Sequence, residues 1–177
     1  IIISNDRINW DEITEYYFIK HREKSRLEKS SWGNHMKIPH ILSFITEEDN
    51  FVLYVQHDFF TNNNTLVKYT CLRDRFQGIT TIGNKLGIFI LDLENDYNNN
   101  ISLNFKTEDN GYILLELLDN NKNIINQYSK QKCIKMSGNN LDTFVRWNVN
   151  KNVLENIKYR YIKFYMKTSE VFCINLI

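Results

Sequence analysis

From residue 100 onward the side chains alternate, and this period of two limits the possible folds more than any other feature. Ile101, Leu103 and Phe105 share one face of an extended segment, with Ser102, Asn104 and Lys106 on the other. Ile113, Leu115 and Leu117 repeat the pattern; Ile162, Phe164 and Met166 point inward, and Lys163 and Lys167 outward. A helix would collect residues three and four apart, whereas alternation over five to seven residues marks half-buried strands. Shorter apolar runs at residues 1–3, 41–45, 51–56 and 66–72 read as further strands.

With one proline, Pro39, and six glycines in 177 residues, turns fall to Asn and Asp. Both tolerate left-handed backbone and bond their own main chain. Asn5-Asp6-Arg7, residues 47–50 and residues 62–64 separate the early runs. Asp109-Asn110-Gly111 and Asp119-Asn120-Asn121 have the composition of hairpin connections. Residues 10–29, rich in Glu, Lys and Arg, hold no clean helical stripe and read as a strand around residues 16–20 followed by a charged loop. A short helical turn is expected at residues 153–157. No internal repeat stands out. Strands recurring roughly every 8–12 residues through short turns predict an all-β chain built from antiparallel sheets, as a two-sheet β-sandwich of jelly-roll or concanavalin-like kind.

Charge removes one class of partner. The 22 basic and 21 acidic side chains leave a net charge of +1 with no basic face or arm, so no nucleic acid is expected. No apolar run approaches the roughly 18 residues of a membrane span, and residues 1–3 are too short for a signal-peptide core. The opening on Ile1-Ile2-Ile3 without Met suggests a start inside a longer protein. Cys71, Cys133 and Cys173 lack metal-ligand spacing and read as buried free thiols. No cofactor or metal is expected. Asn63-Asn64-Thr65 and Asn100-Ile101-Ser102 fit the glycosylation acceptor pattern.

The order of segments after Thr70 resembles the C-terminal region of levanase-, invertase- and arabinanase-like propeller glycoside hydrolases. Leu72-Arg73-Asp74-Arg75-Phe76-Gln77-Gly78-Ile79 resembles the LRxDRFxG segment that leaves the last blade. It is followed by a strand at residues 101–105 and by Leu114-Leu115-Glu116-Leu117-Leu118-Asp119, which is similar to a VELLD arm. Residues 128–139 resemble a CxxIxG stretch, and Phe144-Val145-Arg146-Trp147, residues 161–166 and residues 170–174 resemble the family's closing strands. Earlier, residues 3–10 are similar to the SxDGxxW blade turn, with Arg7 where the family has Gly, and residues 51–55 resemble a blade strand, with Val55 where a second Tyr is usual. The resemblance implies blade-like strands over residues 1–70 and a β-sandwich over 71–177.

It also implies that the two carboxylates of the hydrolytic reaction belong to earlier blades. Asp6, Glu12, Glu116 and Asp119 form no pair that matches a catalytic motif, so the catalytic residues stay unassigned, and Asp119 reads as a turn residue. In the blade-like part, Trp32, His35 and His57 are the carbohydrate-binding candidates: an indole face meets the C–H patches of a sugar ring, and imidazole supplies polar contacts. His40 lies beside them without completing a metal-ligand pattern. Arg73, Asp74 and Arg75 read either as a ligand subsite or as an ion-pair network at the joint between the two parts, and Trp147 as core. The expected role is an accessory region that braces an upstream propeller of the same polypeptide and contacts carbohydrate. A stand-alone lectin-like module and an interaction sandwich without ligand are the alternatives.

Overall fold

The computed structural model describes residues 2–3, 11–12, 40–57, 62, 64–149 and 157–177. The chain is all-β with antiparallel sheets, consistent with a β-sandwich. It divides into two compact units, Ile1–Phe76 and Gln77–Ile177. The readings of residues 16–20, of the charged loop and of a helical turn at 153–156 lie outside the described residues, as does the Asn5-Asp6-Arg7 turn.

In the first unit, β1 (Ile2–Ile3) pairs antiparallel with β2 (Asp11–Glu12). A separate meander joins β3 (His40–Glu47), β4 (Asn50–His57) and β5 (Thr65–Leu72) in that order. Glu47 faces Asn50 across a two-residue turn in which Glu48 takes a left-handed φ of 50°. The central strand carries the burial: Val52, Leu53, Val55 and His57 are buried, whereas Ile41, Leu42, Phe44 and Ile45 on the outer strand β3 stay exposed. Phe51 stacks on Phe76 at 5.1 Å, and Phe44 meets Phe51 at 5.0 Å.

The second unit is one five-stranded sheet. Its two longest members are β8 (Ile101–Leu118) and β10 (Tyr159–Leu176), which pair along nearly their full lengths. On the other side of β10 lie β6 (Ile79–Thr80) and β7 (Leu86–Tyr97), while β9 (Asn139–Phe144) flanks the first half of β8. The alternation expected from the sequence is realised: Ile113, Leu115, Leu117, Ile162 and Phe164 are fully buried, opposite Phe89 and Leu91 of β7. Ile101 through Phe105 are buried on both faces, so Ser102 and Asn104 are covered as well, beyond the half-buried pattern that their polarity suggests. Trp147, Tyr128, Cys133, Met136 and Val145 complete the core cluster. Trp147 meets Tyr128 edge-on at 5.3 Å, and its Nε1 donates to the Leu115 carbonyl at 3.4 Å.

One expectation is corrected. Asp109-Asn110-Gly111 does not reverse the chain but lies within β8. Thr107 pairs with Ser169 and Tyr112 with Lys167, so five steps on β8 match two on β10. The surplus bulges outward, with Asn110 at φ 61° and Gly111 tucked under β10. Turn-forming composition supplies the left-handed residue, but the core face on either side of it, Phe105 and Ile113, belongs to one cluster and keeps both halves on the same partner. By contrast, Asp119 does begin a reversal. Its N–H donates to the Asn123 carbonyl, and Leu118 bridges Ile124.

A methyl group on Gly111 would clash with the Thr168 carbonyl oxygen and come within 2.8 Å of that of Glu108, both backbone atoms. Gly111→Ala is therefore expected to destabilise the chain by roughly 2–4 kcal/mol in denaturant unfolding. Gly83→Ala, at φ 59° with open space around it, serves as the control at about 1 kcal/mol.

Candidate functional site

Trp32 and His35 lie outside the described residues. His57 ends β4 with 2% exposure, and its Nε2 and the Tyr69 hydroxyl lie 2.8 Å apart in a hydrogen bond whose direction follows the imidazole tautomer. The ring is thus held inside the meander by the neighbouring strand β5.

Arg73 closes the β4–β5 end of the first unit. Its N–H donates to the Asp49 carbonyl at 2.7 Å, and its guanidinium lies 4.0 Å from Asp49 and 3.8 Å from Asp74. These pairs are well exposed, so they contribute little to stability. Asp74 takes a φ of 61°, and the Arg75 N–H returns to the Leu72 carbonyl at 3.1 Å, a tight turn after β5.

Of the carboxylates that the sequence singles out, Asp6 and the side chain of Glu12 lie outside the described residues, and Glu116 and Asp119 are tied into local structure. Glu116 sits on β8 with 3% exposure. It accepts the Tyr165 hydroxyl at 2.9 Å and the Lys130 N–H at 3.2 Å, with the Lys163 ammonium 4.0 Å away. The Lys130 and Lys163 ammonium groups lie over the Tyr165 ring at 4.2 and 5.3 Å. The hydrogen bond to Tyr165, ahead of the nearby Tyr165 and Glu116 charges, holds the Lys163 pKa above its ordinary value. A buried carboxylate with this many donors is a structural anchor for segment 128–130. Asp119 accepts three bonds, from the N–H groups of Asn121 and Asn123 at 2.8 Å each and from the Asn123 amide at 3.2 Å. The Asn123 N–H is the main reason its pKa lies below the ordinary carboxylate value.

The cysteines are all free thiols. Cys133 is buried and accepts the Leu115 N–H at 3.2 Å; burial pushes its pKa up to about 11. Cys71 and Cys173 are half-buried, so the expectation of buried thiols holds for Cys133 alone. Among the described residues no group of three or more His, Cys, Asp or Glu is placed to hold a metal, and no helix is long and apolar enough to cross a membrane.

Among the described residues of the second unit, two open grooves stand out. One, of about 490 Å³, surrounds the β8 bulge and is lined by Lys106, Glu108, Asp109, Thr168 and Glu170 among others. Its rim carries the Lys106–Glu108 ion pair at 3.0 Å. The other, of about 510 Å³, opens between segment 134–137 and β9, over a floor that includes Phe105. Both fall within the size range of small-molecule sites. Phe144 and Arg146, which line the second groove, belong to the quoted closing motif, but the motif gives them no role; their common parity with Asn140 and Asp142 was the readable signal. No protein-family profile matches this chain, and no curated protein or solved structure matches it at a significant level.

Two predictions follow from these environments. Under native conditions at about pH 8, iodoacetamide is expected to label Cys71 and Cys173 before Cys133, which reacts only after unfolding; peptide mass spectrometry reads the order. For Asp119, whose folded pKa is depressed, the stabilisation is present above the unfolded pKa and lost as pH falls through the folded one. Asp119→Ala is therefore expected to lower the thermal midpoint at pH 7 and to converge on the wild type once the pH falls below the depressed folded pKa of Asp119.

Proposed function

We propose that this chain is the C-terminal accessory region of a glycoside-hydrolase-like protein: blade-like strands followed by a β-sandwich that braces an upstream propeller of the same polypeptide. The ordered resemblance from Leu72 to Ile174 motivates the reading. The observation that carries it is the apolar outer strand of each unit. On β3, Ile41, Leu42, Phe44 and Ile45 are 42–59% exposed; on β7, Leu86, Ile88 and Ile90 form an alternating row 46–53% exposed. Outer strands with contiguous apolar surface are a liability in an isolated domain and the expected feature of one that packs on a neighbour. A role in bracing also fits Glu116 and Asp119, whose oxygens are committed to hydrogen bonds within the fold.

The test uses the polypeptide extended upstream of Ile1. Deleting residues 77–177 is expected to lower its thermal midpoint by several degrees and to shift it toward aggregation. The 177-residue chain alone is expected to release no nitrophenol from a panel of aryl glycosides. A truncated polypeptide as stable as the whole, or turnover by the chain alone, would overturn the assignment.

A further inference from the structure

We propose that the groove between segment 134–137 and β9 is a binding site for a neutral saccharide. The proposal rests on the carbohydrate-related reading above and gives it a location.

The groove is built by two ribbons that share their ends and part between them. At one end Cys133 bridges Trp147, and the Ile134 N–H donates to the Arg146 carbonyl at 2.8 Å. At the other, Met136 pairs with Ile113 of β8, the Gly138 carbonyl accepts the Thr107 N–H at 2.8 Å, and Gly138 turns the chain at φ 107°. β9 then runs back along the first half of β8, and the Val145 N–H donates to the Ile101 carbonyl at 2.8 Å. Both walls are thus tied to the sheet, and the cleft between them is preformed.

One wall presents a run of exposed side chains. Asn140, Asp142, Phe144 and Arg146 line the cleft and are exposed, Thr143 lines it as well, and Val145 and Trp147 are buried in the core. β9 carries an irregularity between Asn140 and Thr143 and ends at Phe144, with Arg146 on the segment that follows. Along this wall a carboxylate precedes the Phe144 ring by two residues and a guanidinium follows it by two. The Phe144 ring, 46% exposed, offers a face to the C–H patch of a sugar ring, and Ile134, 44% exposed, offers a second apolar surface from the facing wall. Asp142 accepts from hydroxyl groups and Arg146 donates to them. Among the described residues neither side chain takes part in an ion pair or hydrogen bond within the protein.

Charge decides between ligand classes. The cations lining the groove are Lys135 and Arg146, and the anion is Asp142. The Lys135 ammonium is engaged over the Tyr112 ring at 5.1 Å. Lys135 keeps its charge there, so two cations face one anion across the lining. The Asp142 carboxylate beside Phe144 repels a phosphate or an acidic sugar at the ring, which favours a neutral polyhydroxylated ligand.

The experiment uses the 177-residue chain on an array of neutral and acidic glycans, followed by calorimetric titration with the best neutral oligosaccharide. The expected result is saturable binding that weakens about tenfold in Phe144→Ala and in Asp142→Asn, both with an unchanged thermal midpoint. Glu108→Gln, in the bulge groove, should bind like the wild type. Binding to no glycan, binding restricted to acidic glycans, or affinity untouched by both groove substitutions would overturn the proposal. The accessory role is judged on the stability of the extended polypeptide. A chain that binds no sugar yet stabilises its neighbour therefore refutes this site alone, and a chain that binds through Phe144 without stabilising refutes bracing alone.

Discussion

The pairing of β8 with β10 is the constraint on which the second unit depends. Every other strand of that unit is attached to one of these two, and the buried row from Ile101 to Leu117 faces the row from Ile162 to Leu176 across their shared ladder. Side chains alternate along a strand, so a one-residue slip of β8 would turn Ile113, Leu115 and Leu117 outward together. Each such side chain contributes on the order of 1.5–3 kcal/mol when buried, which makes the register a cooperative choice for the whole ribbon. The bulge at 108–111 leaves Phe105 and Ile113 on the core face of β8, while on β10 the core row changes parity between Met166 and Val171. A second irregularity, with two steps on β10 from Val171 to Cys173 against one on β8, shifts parity again near the end of the ladder.

Polar groups reinforce this arrangement from the opposite face. Glu116 links β8 to Tyr165 on β10 and to the backbone of Lys130, so one buried carboxylate holds three segments together. Thr81 does similar work at the other end: its N–H donates to the Ser169 carbonyl, and its hydroxyl accepts the Ser169 N–H at 3.0 Å. These bonds lie beside Thr168, whose φ of 38° is unusual for a β-branched residue. The strain falls on β10 opposite the bulge, where Gly111 comes close to the Thr168 carbonyl.

Much of this was legible in the sequence, for a physical reason. Alternation in residues 101–106, 112–118 and 161–167 reports the core row, and Ile101, Leu103, Phe105, Ile113, Leu115, Leu117, Ile162, Phe164 and Met166 are all buried. It does not report that Ser102, Asn104 and Glu116 on the other face are covered as well. The length of a strand is a different matter. Asp109-Asn110-Gly111 has the composition of a hairpin because the same left-handed backbone serves a hairpin turn and a bulge, and only the partner strand decides between them. The strand β7 escaped notice because Ile88-Phe89-Ile90-Leu91 is a continuous apolar run that hides its own period. Its two faces are unequal in the structure, with Phe89 and Leu91 against the core and Ile88 and Ile90 exposed.

The candidate sites show the same division between what is local and what depends on partners. Asp119 was readable as a turn residue because its acceptors act on N–H groups only two and four residues away. His57 offered no such local clue: its burial depends on Tyr69, a residue of the adjacent strand. The groove beside β9 was less legible still. Its row of Asn140, Asp142, Phe144 and Arg146 has a readable parity, but parity alone does not say whether the polar side of a strand faces open water or a second wall. That wall exists because the chain leaves β8, turns at Asp119, and returns through Cys133 to bridge Trp147 before β9 and its continuation close the loop. A ribbon held at both ends and parted in the middle leaves a cleft whose lining is chosen by the strand's outward face. The inward side chains Val145 and Trp147 pack in the core, and this packing, with the Val145 N–H bonded to Ile101, ties that wall of the cleft to the sheet.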